Sequence, residues 1–245
     1  MLVPLPEANT RIAALRSGQV DWIEAPSPDA VPSLKTAGFQ IVTNVYPHNW
    51  VWHVSRLAGS PFNDARVRKA VNLAIDREGL IKLLGGLSIP AKGFMPPGHA
   101  WFGNPVAHKF DPAQAKKLLA EAGYTSAKPL MLKVVIPSSG SGMMQPLPMN
   151  EFVQQNLAEV GIKVDLEVLE WNTLINAWRA GAKDPSSQGG VALNYSYFIQ
   201  DPFTAFVRHF QSDLVTPKGT NWGWYQNKEM DDMFTKAKNS FDAKD

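Results

Sequence analysis

Apolar residues at Val67, Ala70, Val71 and Ala74 recur at i, i+3, i+4 and i+7, the spacing of a helix face turned toward a core. Asp64 stands ahead of them as an N-cap. Arg68 follows Asp64 by four positions, the acid-before-base order that supports a helix. Asp76 opens a second helix directly behind, with Leu80, Ile81 and Leu84 on its apolar side. The same periodicity predicts a helix over residues 7–16 through Ile12, Ala13 and Leu15, with Gly18 suited to its C-terminal cap. Asp111-Pro112-Ala113-Gln114 carries a capping Asp, a first-turn Pro and a Gln in the capping-box position; Leu118, Leu119 and Ala122 fill that helix's face and Gly123 ends it. A further helix covers residues 149–160 and stops at Gly161. Trp171, Leu174, Ile175 and Trp178 form one face of the next. The last helix starts near Lys228 and is still running at Asp245, the pattern of a truncated chain.

Residues 163–169 alternate, with Val164, Leu166 and Val168 on one side and Lys163, Asp165 and Glu167 on the other, which predicts a half-buried strand. Short apolar runs predict strands over residues 20–23, 39–45, 50–55, 130–136 and 191–199. Pro26, Pro28 and Pro32 punctuate a turn and a short helix. Residues 88–110 form a long loop with four prolines and three glycines, together with His99, Trp101 and Phe102; loops of this length are functional or packed by their own aromatics. Strand and helix alternate throughout, so the fold class is α/β. The best internal boundary lies near Pro47, dividing a small piece, residues 1–47, from a larger block, residues 48–245.

With 44% hydrophobic and 19% charged residues over 245 positions, the chain can bury a substantial core. A net charge of +2 gives no reason to expect a nucleic acid or an anionic membrane surface as partner. The cluster Arg66, Arg68 and Lys69 reads as a solvated helix face. With no cysteine, disulfides, thiolate catalysis and cysteine-ligated metals are excluded. No apolar run has the length of a membrane span. Met1-Leu2-Val3-Pro4 has neither a basic region nor a long apolar stretch, so no export signal is expected within this chain.

Candidate chemistry is sparse. The loop Pro137-Ser138-Ser139-Gly140-Ser141-Gly142 follows a strand and precedes a helix, but it lacks the Lys-Ser/Thr of a phosphate loop and the third glycine of a dinucleotide loop. It reads as a loop of small residues, with the alternative that its N–H groups and hydroxyls line a ligand cleft. His48, His53, His99, His108 and His209 show no metal-ligand spacing and adjoin no nucleophile motif, so metal binding or hydrolysis through them needs long-range assembly. Asp231-Asp232 reads as a solvated pair on a helix, and Glu167 and Glu170 show no sign of an acid/base pair. The aromatics carry more: Trp50 with Trp52, Trp222 with Trp224, and Tyr195 with Tyr197 and Phe198. Aromatic walls with a few polar groups suit a small-molecule cleft; the competing reading is core filling, which is favoured for Trp22, Trp171 and Trp178.

Several stretches together resemble the extracytoplasmic solute-binding proteins that serve peptide and nickel ABC importers. Residues 6–21 look like that family's Pro-Glu-x-x-x-Arg-x-x-Ala-Leu-x-Ser-Gly-x-Val-Asp. Residues 61–77 look like its Pro-Phe-x-Asp-x-Arg-Val-Arg-x-Ala...Ala-Ile-Asp-Arg. Phe94-Met95-Pro96-Pro97-Gly98 resembles its Pro-Pro-Gly loop, residues 110–124 its Tyr-Asp-Pro-x-x-Ala-x-x-Leu-Leu-x-Glu-Ala-Gly-Tyr, and residues 157–170 with Trp171 its helix–strand–tryptophan block. The resemblance implies a two-lobed, type II periplasmic-binding fold that closes on a ligand about a hinge, with a mixed sheet flanked by helices. It implies that residues 1–47 are a piece of the first lobe. Residues 48–245 would be most of the second, without the closing helices.

The resemblance further implies a substrate-binding component of a periplasmic ABC importer. Its partners would be a membrane permease and a small solute, with no cofactor and no catalysis. One departure bears on the solute. Peptide binders of this kind carry Gly-Trp-x-Ala-Asp-Tyr-x-x-Pro, whose Asp pairs with the peptide amine; the corresponding stretch here is Asn194-Tyr195-Ser196-Tyr197-Phe198-Ile199-Gln200-Asp201-Pro202, with Phe198 in the Asp position. An uncharged ring leaves a buried ammonium unpaired. The expected ligand is therefore a modified peptide, an opine-like compound, a sugar or another solute. Tyr195, Tyr197 and Phe198 are the ligand-contact candidates, with Trp50 and Trp52 nearer the hinge. Two other classes share the scaffold: the ligand-sensing domain of a transcriptional regulator, and a hydrolase, for which no nucleophile–base pair is visible.

Overall fold

The structure is a computed structural model that describes residues 1–44, 48–199, 201 and 203–241. The N-terminal segment holds two short helices, α1 (Ala8–Arg16) and α2 (Val31–Thr36), which bury Ile12, Ala14, Val31 and Leu34. Arg11 ties this segment together, donating to the carbonyls of Leu5, Glu24 and Ala25 at 2.8, 3.0 and 2.9 Å. The following elements are β1 (His48–Val54), α3 (Ala65–Ala74), α4 (Arg77–Leu83), α5 (Pro112–Glu121), β2 (Leu130–Pro137), α6 (Pro146–Glu159), β3 (Ile162–Leu169) and α7 (Trp171–Ala180). They are succeeded by β4 (Ala192–Phe198), a π-helical turn (Phe203–Val207) running into the short α8 (Arg208–Phe210), and α9 (Lys228–Asn239).

The four strands form one mixed sheet in the order β1-β4-β2-β3. β2 pairs in parallel with β3 and β4, and β1 lies antiparallel on β4. One sheet face presents Leu130, Leu132, Val134, Ile136, Ile162 and Ala192 to α3, α5 and α6, whose Val67, Ala70, Ala74, Ala115, Leu119, Val153 and Leu157 complete the main core. Each fully buried Val, Leu or Ile side chain there contributes about 1.5–3 kcal/mol. The other face is covered over β1, β4 and the adjoining part of β2, where Val135 and Leu193 meet Leu174 and Trp178 of α7 and the loop residue Trp222. Toward β3 that face is open, and Lys133 pairs with Glu167 across it at 3.0 Å.

The helix starts follow the caps. Asp64, Asp76 and Asp111 accept from the backbone N–H groups of Arg66, Gly79 and Gln114 at 2.8, 2.9 and 2.8 Å. Two details differ from expectation. Asp64 pairs with Arg66 at 2.6 Å and not with Arg68, because the capping geometry turns its carboxylate onto the first turn; Arg68 instead donates to the carbonyls of Phe62 and Asn63. The Asp111 N–H donates to the Leu73 carbonyl at 2.8 Å, which docks α5 onto α3 and takes the donor that Gln114 would have served in a capping box.

Residues 20–23 and 39–44 are not strands; Val45 and Pro47, with the expected domain boundary there, lie outside the described residues. The chain folds back at the end of α1, where Gln19 and Val20 donate to Ala14, and no strand of the sheet lies beside either run. Trp22, expected in the core, is 70% exposed as a consequence. Val168 is also exposed, at the open end of the edge strand. α6 begins at Pro146, three residues before the expected Met149, since prolines fit a first helical turn. α9 stops at Asn239, where Ser240 turns to extended geometry.

Candidate functional site

Strands β2, β3 and β4 end together at Pro137, Leu169 and Phe198, and antiparallel β1 begins at the same edge with His48. In open α/β sheets the carboxyl ends of parallel strands are where ligands gather, because the loops there are free of the ladder and carry the helix starts. Three pieces of chain build this rim: the loop after β2, the start of α7 and the end of β4.

The loop after β2 lies tightly across the rim. Gly140, with φ +152°, rests on the Trp171 indole so closely that an added Cβ would stand 2.2 Å from Cε3. Gly142, with φ +72°, passes over His48 and Ser196, where a Cβ would stand 2.6 Å from the His48 ring and 2.9 Å from Ser196 Oγ. Both positions require glycine for space and backbone angle alike. The Ser138 N–H donates to the Leu169 carbonyl at 2.8 Å and Met143 is fully buried, so the loop is anchored at both ends. Glu170 caps α7 through the N–H groups of Asn172 and Thr173, which holds Trp171 at the rim.

The antiparallel register decides where the expected ligand residues point. Trp50 faces Ser196, Trp52 faces Asn194 and His48 faces Phe198, all on the α3–α6 side of the sheet. Tyr195 and Tyr197 point to the opposite side, against Trp178, Met95, Ile199 and Ala205. The five residues thus divide between the two faces. Phe198 is the most open, 44% exposed at the tip of β4 with its ring 5.1 Å from His48. Tyr195 is half-buried, with its ring parallel to both Trp178 (4.8 Å) and Trp171 (6.2 Å). Tyr197 is buried. Trp52 is committed to the interior: its Nε1–H donates to Asn150 Oδ1 at 2.7 Å, Asn150 donates to Asn194 Oδ1 at 2.7 Å, and Asn194 donates to the Val51 carbonyl at 2.9 Å. Trp50 Nε1 and Ser196 Oγ, on paired positions of β1 and β4, are buried with no protein hydrogen-bond partner.

Electrostatically the rim is quiet. Burial lowers the His48 pKa, opposed by the charge of Glu24 in the N-terminal segment, so the imidazole is neutral at neutral pH. Burial raises the Tyr195 phenol, opposed by Arg208 and Arg179, and raises Tyr197 well above the ordinary value. Among the described residues no group of three or more His, Asp and Glu could hold a metal ion. The arrangement offers apolar and aromatic surface with uncharged polar groups: a place to desolvate and orient a solute. Two surface concavities lie elsewhere, one of about 510 Å3 at the amino end of β3 beside Gln154 and Lys163, another of about 580 Å3 along α9 beside Lys228 and Met233.

Linear reading weighed His53 and His209 only as separate histidines and did not mark Asn150. The two histidines lie 156 positions apart and come together only through β1 and α8, with ring centroids 6.1 Å apart. No local spacing signals such a pair. Asp231 and Asp232 are occupied as surface groups, accepting from the Ser212 N–H and from Lys228.

Comparison with known proteins bears on this site. The family profile described as bacterial extracellular solute-binding proteins, family 5 Middle, matches residues 2–232. The chain is 29% identical over 241 residues to the glutathione-binding protein GsiB of Escherichia coli strain K12, covering 96% of this chain and 45% of that protein. The chain therefore spans about half the length, or less, of the relatives it matches. NikA from Staphylococcus aureus, solved in complex with Ni(L-His)2, shares the fold with a TM-score of 0.80 at 21% identity, over 97% of this chain and 49% of NikA. The oligopeptide-binding protein AppA from Bacillus subtilis, in complex with a nonapeptide, superposes with a TM-score of 0.79 at 23% identity, over 98% of this chain and 48% of AppA.

Proposed function

This chain belongs to the bacterial extracellular solute-binding proteins, family 5, and from that premise we propose that it forms part of the substrate-binding component of an ABC importer, acting outside the cytoplasm and without catalysis. The observation that carries this reading is the rim at the carboxyl ends of β2, β3 and β4. There Phe198 stands exposed, Trp171 and Tyr195 lie parallel, and the loop through Gly140 and Gly142 is folded tightly down. Such a rim forms one wall of a cleft. A second lobe closing on it would expel water from the solute, and the exposed aromatic surface would cover it. The partners are a small solute and a membrane permease.

The solute is a modified peptide, an opine-like compound, a sugar or a related small molecule, and not a peptide held by its free amine. Phe198 supports this: it occupies the exposed tip of β4 with His48 as its ring neighbour, and His48 is neutral. Neither group can neutralise an ammonium that closure would bury. The relatives and neighbours named for glutathione, nickel–histidine and a nonapeptide show how widely the solute varies on this fold.

A thermal-shift panel on the full-length protein that carries this chain tests the reading. The panel contains di- to pentapeptides, amino-acid conjugates, sugars and nickel complexes. A ligand at a hundred times its Kd adds about 2.7 kcal/mol of stability. The expected result is a shift by one non-peptide or modified-peptide class, weakened by Phe198→Asp. Tight binding of unmodified peptides that Phe198→Asp weakens would overturn the solute assignment and leave the importer reading standing.

A further inference from the structure

On the sheet face away from α3, four side chains make one contiguous knot. The Tyr197 ring stacks on His209 with centroids 3.9 Å apart. His53 stands edge-on to Tyr197 at 5.3 Å and to His209 at 6.1 Å, and Trp178 closes on His209 at 6.5 Å. All four residues are more than nine-tenths buried: His53 is 7% exposed, His209 4%, Tyr197 2% and Trp178 7%. Yet Tyr197 Oη, His53 Nδ1, His209 Nδ1 and Trp178 Nε1 each lack a protein hydrogen-bond partner. One orphaned polar atom in a core is an accident of packing. Four in rings gathered about His209 are a site, because each would cost the full desolvation of its group.

We propose that this knot is an internal hydration site that binds about one or two water molecules, joining β1, β4, α7 and α8. The chemistry of the four groups selects the occupant. Trp178 Nε1–H can only donate, and the Tyr197 hydroxyl, protonated at neutral pH, donates as well. Each histidine in its Nε2–H tautomer presents a lone pair at Nδ1. Two donors and two acceptors match the two lone pairs and two protons of a single water molecule. A metal ion would meet an indole N–H that has no electrons to give, and an anion would meet two lone pairs. Ring centroids 3.9–6.5 Å apart leave no room for an organic solute. The site lies inside the lobe, so it does not rest on the solute assigned to the rim.

Two measurements on the full-length protein test the proposal. A high-resolution crystal structure of the wild type is expected to show ordered water at roughly 2.7–3.2 Å from Tyr197 Oη or Trp178 Nε1. Tyr197→Phe, which removes one partner from that water, is expected to lower Tm and raise the unfolding equilibrium constant about two- to tenfold. A dry knot predicts the opposite sign, since deleting an orphaned hydroxyl relieves its burial. An unchanged or raised Tm in Tyr197→Phe, or clear density with no water in the knot, overturns the proposal. If the variant does not fold, the wild-type density alone decides.

Discussion

Asn150 joins three parts of the lobe through one amide. It is fully buried in the first turns of α6, its Nδ2 donates to the Pro146 carbonyl and to Asn194 Oδ1, and its Oδ1 accepts from Trp52 Nε1. Every side-chain polar atom of the Trp52–Asn150–Asn194 network has a partner, so the network stabilises only while it is whole. Asn150→Ala would leave the Trp52 N–H and the Asn194 oxygen buried and unmatched. The expected loss is about 2–4 kcal/mol, at the usual 1–3 kcal/mol for each orphaned group less some relaxation. Urea unfolding monitored by tryptophan fluorescence would measure it, and Trp52→Phe, which removes only the donor, should cost less. A small effect for Asn150→Ala would mean that water enters the gap. This residue also explains why linear reading split Trp52 from its true role. A tryptophan in an aromatic run reads as a cleft wall, while its partner lies 98 positions away and is an unremarkable asparagine in sequence.

At the scale of elements, the caps determine where helices begin, and their other interactions determine how helices dock. Asp111 shows both. Its carboxylate holds the Gln114 N–H, and its own N–H reaches back to Leu73 at the end of α3. Asp111→Ala should therefore cost about 1 kcal/mol through the lost cap while sparing the backbone contact to α3. Asp111→Asn should restore most of it. Denaturant midpoints at constant m-value would distinguish the two, and equal losses for both variants would show that the cap is idle. Elements of this kind were legible because their signals are local: a capping side chain, a 3.6-residue apolar repeat, a glycine at the end. α3, α5, α7 and β3 follow such signals closely. The runs 20–23 and 39–44 carry the same β-forming residues, but a strand exists only where another strand takes its hydrogen bonds, and that is a property of the assembled sheet. Face assignment was hidden for a related reason. Tyr195, Tyr197 and Phe198 fall within one short run, yet a strand sends alternate residues to opposite faces, and only the pairing with β1 shows which face belongs to which helices.

For the molecule as a whole, the buried histidines couple stability to acidity. His53 is pushed down to about 3, first by burial and then by the neighbouring His209; His209 is pushed down to about 4 by burial and by Arg208, with the Thr220 backbone opposing. The ordinary value of 6.5 applies in the unfolded chain. Above pH 6.5 neither state binds these protons and the stability is at its plateau. Below it the unfolded chain takes up protons that the folded core refuses, so stability falls with falling pH. The slope approaches about 1.4 kcal/mol per pH unit for each histidine and ends only near the folded values, where the core itself must accept charge. Two such groups can remove a large part of the roughly 5–15 kcal/mol that holds an ordinary domain folded. His48 and His108 are shifted in the same direction by burial and steepen the curve, so the two core histidines have to be isolated by difference. Unfolding free energies between pH 7.5 and pH 5, above the range where most carboxylates titrate, should decline in the wild type and decline less in His53→Phe/His209→Phe. Parallel curves for the two proteins would mean that the imidazoles gain protons in the folded state as readily as in the unfolded one. The knot around Tyr197 would then be open to solvent and not a closed part of the core.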